Sequence, residues 1–299
     1  MSTNPTEPRR QYPSTYFADR ANLDEMARLA VQDQLMTTGM GGVLPEQPNA
    51  DSFQRVLDVG CGTGGWLIET AKTYPNMARL VGVDVNSRVI EYAREQAKVA
   101  QVQDRVEFQV MDALLILEFP KGYFDLTNMR LATGFMRTWN WPKLLDEMQR
   151  ITRSRGIIRF TEIEGMDANS PALMRLSALA GDAFYKAGHL FSEGQTEETF
   201  TRGTAGVAND LVRLMEQYGV QNVQTRSSIR EFLAGTADVQ GYAEDMRLGF
   251  RTMIPFIRKW SRLPDNYEEL YQEMLRDMQQ PDFTATWRLL TAWGTRPPL

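Results

Sequence analysis

Residues 55–66 constrain the fold of this 299-residue chain more than any other stretch. A short apolar run, Val56-Leu57-Asp58-Val59, enters Gly60-Cys61-Gly62-Thr63-Gly64-Gly65 and leaves as Trp66-Leu67-Ile68. Glycine reaches backbone conformations that other residues resist, and it lets a ligand approach the main chain with no side chain in the way. A helix beginning just after the loop offers unpaired N–H groups at its start. Read literally, Gly60, Gly62 and Gly65 match G-x-G-x-x-G, so the loop alone points to a nucleotide cofactor without saying which one.

The surrounding rhythm sets the fold class. Strands are expected at Arg55–Val59, Leu80–Asp84, Val106–Val110, Phe124–Asn128 and Ile157–Glu162. Helices are expected between them, at Leu67–Tyr74, Ser87–Ala100 and Trp141–Thr152. Strands alternating with helices predict a parallel sheet with right-handed crossovers. After Glu162 the pattern changes. Ser170-Pro171 reads as an N-cap followed by a first-turn proline, opening an apolar stripe that ends at Gly188. Residues 191–206 read as a loop, Val207–Tyr218 as a helix closed by Gly219, and Val220–Arg226 as a sixth strand. Residues 237–280 read as helices rich in Met and aromatic residues, with Pro255 expected to kink one of them. Thr284–Gly294 is the last strand.

Three positions turn the glycine loop into a more specific signature. Asp58 precedes Gly60 by two residues, giving Asp-x-Gly-x-Gly-x-Gly. Asp84 ends the second strand, where a carboxylate accepts hydrogen bonds from ribose hydroxyls. Val110-Met111-Asp112-Ala113 follows the third strand. With Tyr123-Phe124-Asp125-Leu126-Thr127-Asn128 and Leu144–Gly156, this set resembles the class I S-adenosylmethionine-dependent methyltransferases over about residues 50–165. The resemblance implies a Rossmann-like α/β fold: a seven-stranded, mostly parallel sheet with an antiparallel last strand, plus a helical cap. It implies S-adenosylmethionine as cofactor and S-adenosylhomocysteine as product. It places Gly60, Cys61, Gly62 and Gly64 under the cofactor, Asp84 at its ribose, Met111, Asp112 and Ala113 at its adenine, and Val85 among the cofactor-binding residues. Asn128 and Met129 fall at the end of the fourth strand, beside the methionine part. The chain departs from the family pattern at Ser154-Arg155, where a Pro-Gly pair is usual, and this changes the turn before the fifth strand.

Other residues keep two readings. Tyr16 either covers the cofactor or staples the first helix. Arg20 and Gln34 are weaker candidates from the same region. Asp58 is expected to tie the loop through backbone N–H groups. Cys61 has no flanking cations to activate its thiol. His189 follows Gly188 at the end of an apolar helix, and is either a general base or a residue facing the last helical carbonyls. Glu162 and Glu164 stand at the carboxyl edge of the sheet, to orient a substrate or merely to cap and solvate.

Composition narrows the substrate. The 38 acidic residues outnumber the 33 basic ones, for a net charge of −5, which repels nucleic acid and anionic lipid overall. A single cysteine and a single histidine exclude an intrachain disulfide and the usual zinc sites. No metal is expected, and no membrane span or secretory signal is read from the chain, so a cytoplasmic location is expected. Residues 1–14 read as a disordered tail and 15–299 as one domain, with cap segments 15–45, 166–206 and 237–280. The expected activity is methyl transfer to a small, partly apolar metabolite, with oxygen favoured over nitrogen or carbon. The apolar cap would suit a homodimer. Two alternatives stay open: a protein that binds S-adenosylmethionine without methyl transfer, and a nicotinamide oxidoreductase.

Overall fold

The computed structural model describes residue 16, residues 23–191 and residues 207–298. The expected tail, Arg20 and residues 192–206 of the expected cap lie outside the described residues.

The helix α1 (Leu23–Gly39) precedes β1 (Arg55–Val59), α2 (Gly65–Thr73), β2 (Arg79–Asp84), α3 (Ser87–Val99), β3 (Val106–Val110), β4 (Phe124–Arg130), α4 (Trp141–Ile151) and β5 (Thr152–Ala168). Then come α5 (Pro171–Lys186), α6 (Ala208–Gln217), β6 (Gln221–Leu233), three helices α7 (Ala237–Thr252), α8 (Ile254–Trp260) and α9 (Tyr267–Asp277), and β7 (Thr284–Thr295). The strands form one seven-stranded sheet in the order β3-β2-β1-β4-β5-β7-β6. Neighbours from β3 to β5 pair parallel, and β7 runs antiparallel to both β5 and β6. This is the Rossmann-like sheet that the alternation predicts.

Each central strand is buried on both faces, as a sheet covered by helices on either side requires. Successive residues of β1 show it. Val56 packs with Trp66, Ile90 and Phe108, whereas Leu57 and Val59 pack with Trp141, Leu145 and Leu211 on the other side. A third core lies away from these two. It is built from Leu35 and Met36 of α1, Leu173 and Leu176 of α5, and Met246, Ile257 and Met274 of α7–α9, against Trp287 and Leu289 of β7. These helices therefore form a roof with its own apolar interior.

Three local expectations are corrected. Strand β5 runs to Ala168, beyond Glu162, because β7 pairs with it along its length through a bulge between Ile163 and Gly165. Strand β6 reaches Leu233, beyond Arg226. It is the exposed edge strand, so no apolar alternation marks its end. Pro255 does not kink a continuous helix: α7 stops at Thr252, and Pro255 sits in the first turn of α8, where its missing N–H costs nothing. Ser170 caps α5 as expected, its Oγ accepting from the Leu173 N–H at 3.1 Å. Arg155 adopts φ +59°, the left-handed conformation that the family's glycine would supply. No helix among the described residues is long and apolar enough to cross a membrane.

Candidate active site

The glycine loop lies where β1 meets α2. Gly62 has φ +52°, and a Cβ added there would meet nothing within 4 Å. The bare backbone thus faces open space rather than packed protein, as a ligand cradle must. The Cys61 N–H donates to Val83 O at 2.9 Å, tying the loop to the end of β2. Asp84 receives the Gly62 N–H on Oδ2 at 3.3 Å and the Asn86 N–H on Oδ1 at 2.9 Å. A carboxylate clamped between the loop and the start of α3 is fixed in orientation, which suits it to a ribose edge.

Above this loop opens a cavity of about 270 Å³. Gly60, Cys61, Gly62 and Asp84 form its floor, together with Asp58 and Thr63. Phe135, Ile163, Met166, Phe184, Phe250 and Trp287 supply much of its apolar wall. Tyr16 also lines it, and its hydroxyl donates to Glu25 Oε1 at 2.5 Å. Glu25 and Asp245 in turn hold the buried Arg28 guanidinium at 2.7 and 3.0 Å. Helix α1 is thereby pinned to α7, and the roof is pinned over the loop. A second anchor is the ion pair between Asp33 of α1 and Arg130 at the end of β4.

The remaining expected cofactor residues divide. Val85, Met111, Asp112 and Ala113 follow the carboxyl ends of β2 and β3, with the Met111 N–H on Asp84 O at 2.9 Å, and none of the four lines the cavity. Val85 is 44% exposed, so this rim is open. Asp112 Oδ1 accepts the Leu114 N–H at 2.8 Å, which shapes the turn. Gly64 is packed beneath the loop against Phe108 and Ala93 rather than lining the cavity. The structure does not bring Asn128 or Met129 to the cavity. Both are fully buried in β4, where Met129 joins the core. The next residues, Arg130 and Leu131, are the ones that line it. Gln34 is exposed on the outer face of α1, while Gln32 and Asp33 face inward.

Asn128 has a different task. Its Nδ2 donates to Asp58 Oδ1 at 2.8 Å, and its Oδ1 accepts from Arg159 Nη1 at 2.7 Å. Arg159 continues to Glu46 at 2.7 Å, in a fully buried ion pair. Asp58 is therefore held by a side-chain chain through the sheet, not by the loop N–H groups that the sequence suggests. Burial pushes its carboxyl up to about 6, opposed by Arg130 and the Asn128 bond. Burial, with Asp84 and Asp58 nearby, also drives the Cys61 thiol well above its ordinary value, so it is no nucleophile.

The base candidates exchange places. His189 is 1% exposed and is not among the residues that line the cavity. Its ring packs edge-on against Phe184 and Phe256. Its Nδ1 lies 2.7 Å from Thr133 O, which can only accept, so Nδ1 carries the proton and Nε2 is left without a partner. Burial lowers its pKa, keeping it neutral. Glu162 does line the cavity. Its carboxylate accepts from the Ala132 N–H at 2.5 Å and the Thr133 hydroxyl at 2.9 Å, and burial still pushes it up to about 7. Leu131, at φ +54°, makes the turn that aims Ala132 N–H at this carboxylate. An acid at the expected carboxyl end of the fifth strand is the signal the sequence offered for Glu162. Glu164, two residues on, does not reach the cavity.

Residues 56–156 match the family described as "Methyltransferase domain". The chain is 33% identical over 103 residues to the 27-O-demethylrifamycin SV methyltransferase of Amycolatopsis mediterranei, covering 34% of this chain and 35% of that one. It is 30% identical over 143 residues to the ubiquinone/menaquinone biosynthesis C-methyltransferase of Geotalea uraniireducens, covering 46% and 57%. The chain thus spans about a third and just over half of the length of these relatives. The solved structure of the YcgJ protein of Bacillus subtilis superposes with a TM-score of 0.54 over 88% of this chain and 99% of that one, at 15% identity, which shows a shared fold. Residues 56–156 thus match a methyltransferase domain, set in a fold shared with the superposed structure. A methyltransferase domain, rather than a nicotinamide-binding one, is what the family match supports.

Proposed function

We propose that this chain transfers a methyl group from S-adenosylmethionine to a small, partly apolar metabolite, with oxygen the favoured accepting atom. One observation carries this reading: the bare Gly62 backbone and the clamped Asp84 carboxylate open directly into a roofed apolar chamber that holds a protonatable carboxyl, Glu162. Asp84 would hold the ribose, the loop backbone the carboxylate end, and Val85 with Met111–Ala113 the adenine. Tyr16 would close over the top. Bound there, S-adenosylmethionine supplies a methyl group activated by a positive sulfur.

The chain's own part is alignment, exclusion of water and handling of one proton. The cavity wall is acidic: Asp33, Asp58, Asp84, Glu162 and Asp245 face it, against the guanidiniums of Arg28 and Arg130. Such a wall favours a cationic group at its centre. Glu162, poised near neutrality, accepts the proton of an attacking hydroxyl. The net charge of −5 favours a small molecule over nucleic acid as acceptor.

Calorimetry with S-adenosylhomocysteine, followed by transfer of labelled methyl into fractionated metabolite extracts, tests the reading. Tight binding with label in an alkali-stable ether supports it. Binding with no label in any fraction replaces it with the binding-only alternative.

A further inference from the structure

The roofed end of the cavity contains polar atoms that the fold leaves unused. Ser177 Oγ on α5, Asp245 Oδ2 on α7 and Trp287 Nε1 on β7 are buried and make no hydrogen bond. Ser177 is 3% exposed, Asp245 0% and Trp287 1%, and all three residues line the cavity. The Tyr242 hydroxyl, whose ring lies 5.5 Å from that of Trp287, is also unpaired. Burial raises the Asp245 and Tyr242 pKa values; Arg28 is the main offset at Asp245, and Gln32 beside Asp245 and Trp287 beside Tyr242 add less, outside hydrogen-bond geometry. Leaving a buried polar group without a partner is costly, so folds keep few of them without a reason. Here they come from three different elements and converge on one apolar chamber. Two of the cavity groups, the Ser177 hydroxyl and the Trp287 N–H, can donate, and Asp245 Oδ2 accepts. The surrounding wall of Met166, Ala180, Phe184, Met246, Phe250 and Met253 has nothing to offer a polar molecule.

Charge excludes one class of occupant. Arg28 is committed to Glu25 and Asp245, and Arg130 to Asp33. The wall otherwise presents carboxylates, so a carboxylate or phosphate entering it would be desolvated beside like charges.

Resting on the methyltransferase reading above, we infer that the roofed end of the cavity is an acceptor subsite for a neutral, largely apolar molecule carrying an anchoring hydroxyl, separate from the group deprotonated at Glu162; this hydroxyl donates to Asp245 Oδ2 and accepts from Ser177 Oγ and Trp287 Nε1. The hydroxyl matches the mixed donor and acceptor set, which neither a pure hydrocarbon nor an anion can satisfy.

The test is calorimetry on the full chain with three probes of one shape: 2-naphthol, 2-naphthoate and 2-methylnaphthalene, each titrated with and without saturating S-adenosylhomocysteine. The subsite predicts 2-naphthol binding about tenfold tighter than either of the others. Ser177→Ala and Trp287→Phe should each remove most of that preference, while leaving affinity for 2-methylnaphthalene and for S-adenosylhomocysteine unchanged. Asp245→Asn should do the same. Because Asp245 also holds Arg28, that substitution puts folding itself at risk, so Ser177→Ala, which deletes an unpaired hydroxyl, decides. Naphthoate binding as well as naphthol, or a naphthol preference untouched by both Ser177→Ala and Trp287→Phe, overturns the inference. Absence of S-adenosylhomocysteine binding would sink the cofactor reading instead, and the probe titrations without it still decide the subsite.

Discussion

Replacing Glu162 with glutamine separates the cost of burying a charge from the value of using it. In the folded chain Glu162 is buried, with its carboxyl pushed from 4.5 up to about 7. Between those values the folded state holds a proton that the unfolded state has lost, so stability falls as pH rises through the interval. At ~1.4 kcal/mol per pH unit, the full effect is about 3 kcal/mol, complete above pH ~7. The glutamine that Glu162→Gln introduces carries no charge at any of these pH values. Its Oε1 still accepts from Ala132 N–H, and the Thr133 hydroxyl can turn to accept from its amide. The variant should therefore be more stable than the parent by about 1–3 kcal/mol at pH ~8 and equal to it within ~0.5 kcal/mol near pH ~4.5. Urea midpoints at acidic, intermediate and mildly alkaline pH measure this. Turnover should move the other way, falling by about 10²–10⁴ with loss of the rising limb near pH ~7. A stability difference that is the same at every pH, or a variant that is weaker on the alkaline side, refutes the argument from burial.

Asp84→Ala should weaken S-adenosylhomocysteine binding by about 1–3 kcal/mol in calorimetry, and unchanged affinity would remove Asp84 from the cofactor site. Gly65→Ala tests how α1 docks: a Cβ there would lie 2.0 Å from Asp33 Oδ2. It should cost about 1–3 kcal/mol from overpacking, exceeding the ~1 kcal/mol gained in helix propensity, with recovery in the Gly65→Ala, Asp33→Ala double variant. A stabilised single variant would show that the contact is soft. His189→Phe should cost about 1 kcal/mol through the lost bond to Thr133 O, while the rising pH limb of turnover persists. Disappearance of that limb would restore His189 as the base.

What the sequence disclosed was whatever depends on neighbours in the chain. The glycine loop, Asp84 after its strand and the Ser170 cap are each built within a few residues, so spacing exposes them. Asn128 shows the limit. Its position at the end of a strand placed it near the cofactor, but one residue decides which face of a strand a side chain takes. The partners that hold it inside, Arg159 and Glu46, lie 31 and 113 positions from their own partners in sequence. No local pattern signals a pairing at that separation. His189 shows the same limit: being the sole histidine makes it conspicuous, while burial, which no composition reports, takes it off the cavity wall.

The acceptor end left a fainter trace that can be described after the fact. Ser177 interrupts the stripe Leu173, Leu176, Ala180, Ala183, and Asp245 sits beside Met246 on the apolar side of α7. A polar residue inside an apolar helical face must find a partner, find a ligand, or cost stability. The sequence shows the interruption but not which of the three applies, because the answer depends on what the facing elements leave open. In this fold Asp245 found half of its partners in Arg28, and Ser177 found none. The same geometry explains why the cofactor could be read and the acceptor could not. In the proposed reading the cofactor would rest largely on backbone and on one carboxylate at a strand end, which spacing along the chain exposes. The acceptor proposed here would meet side chains from α1, β5, α5, α7 and β7, and each of these can change alone without disturbing the loop below. Substitutions at Ser177, Asp245 or Trp287 should accordingly alter which molecule is methylated while leaving the affinity for the cofactor where it was.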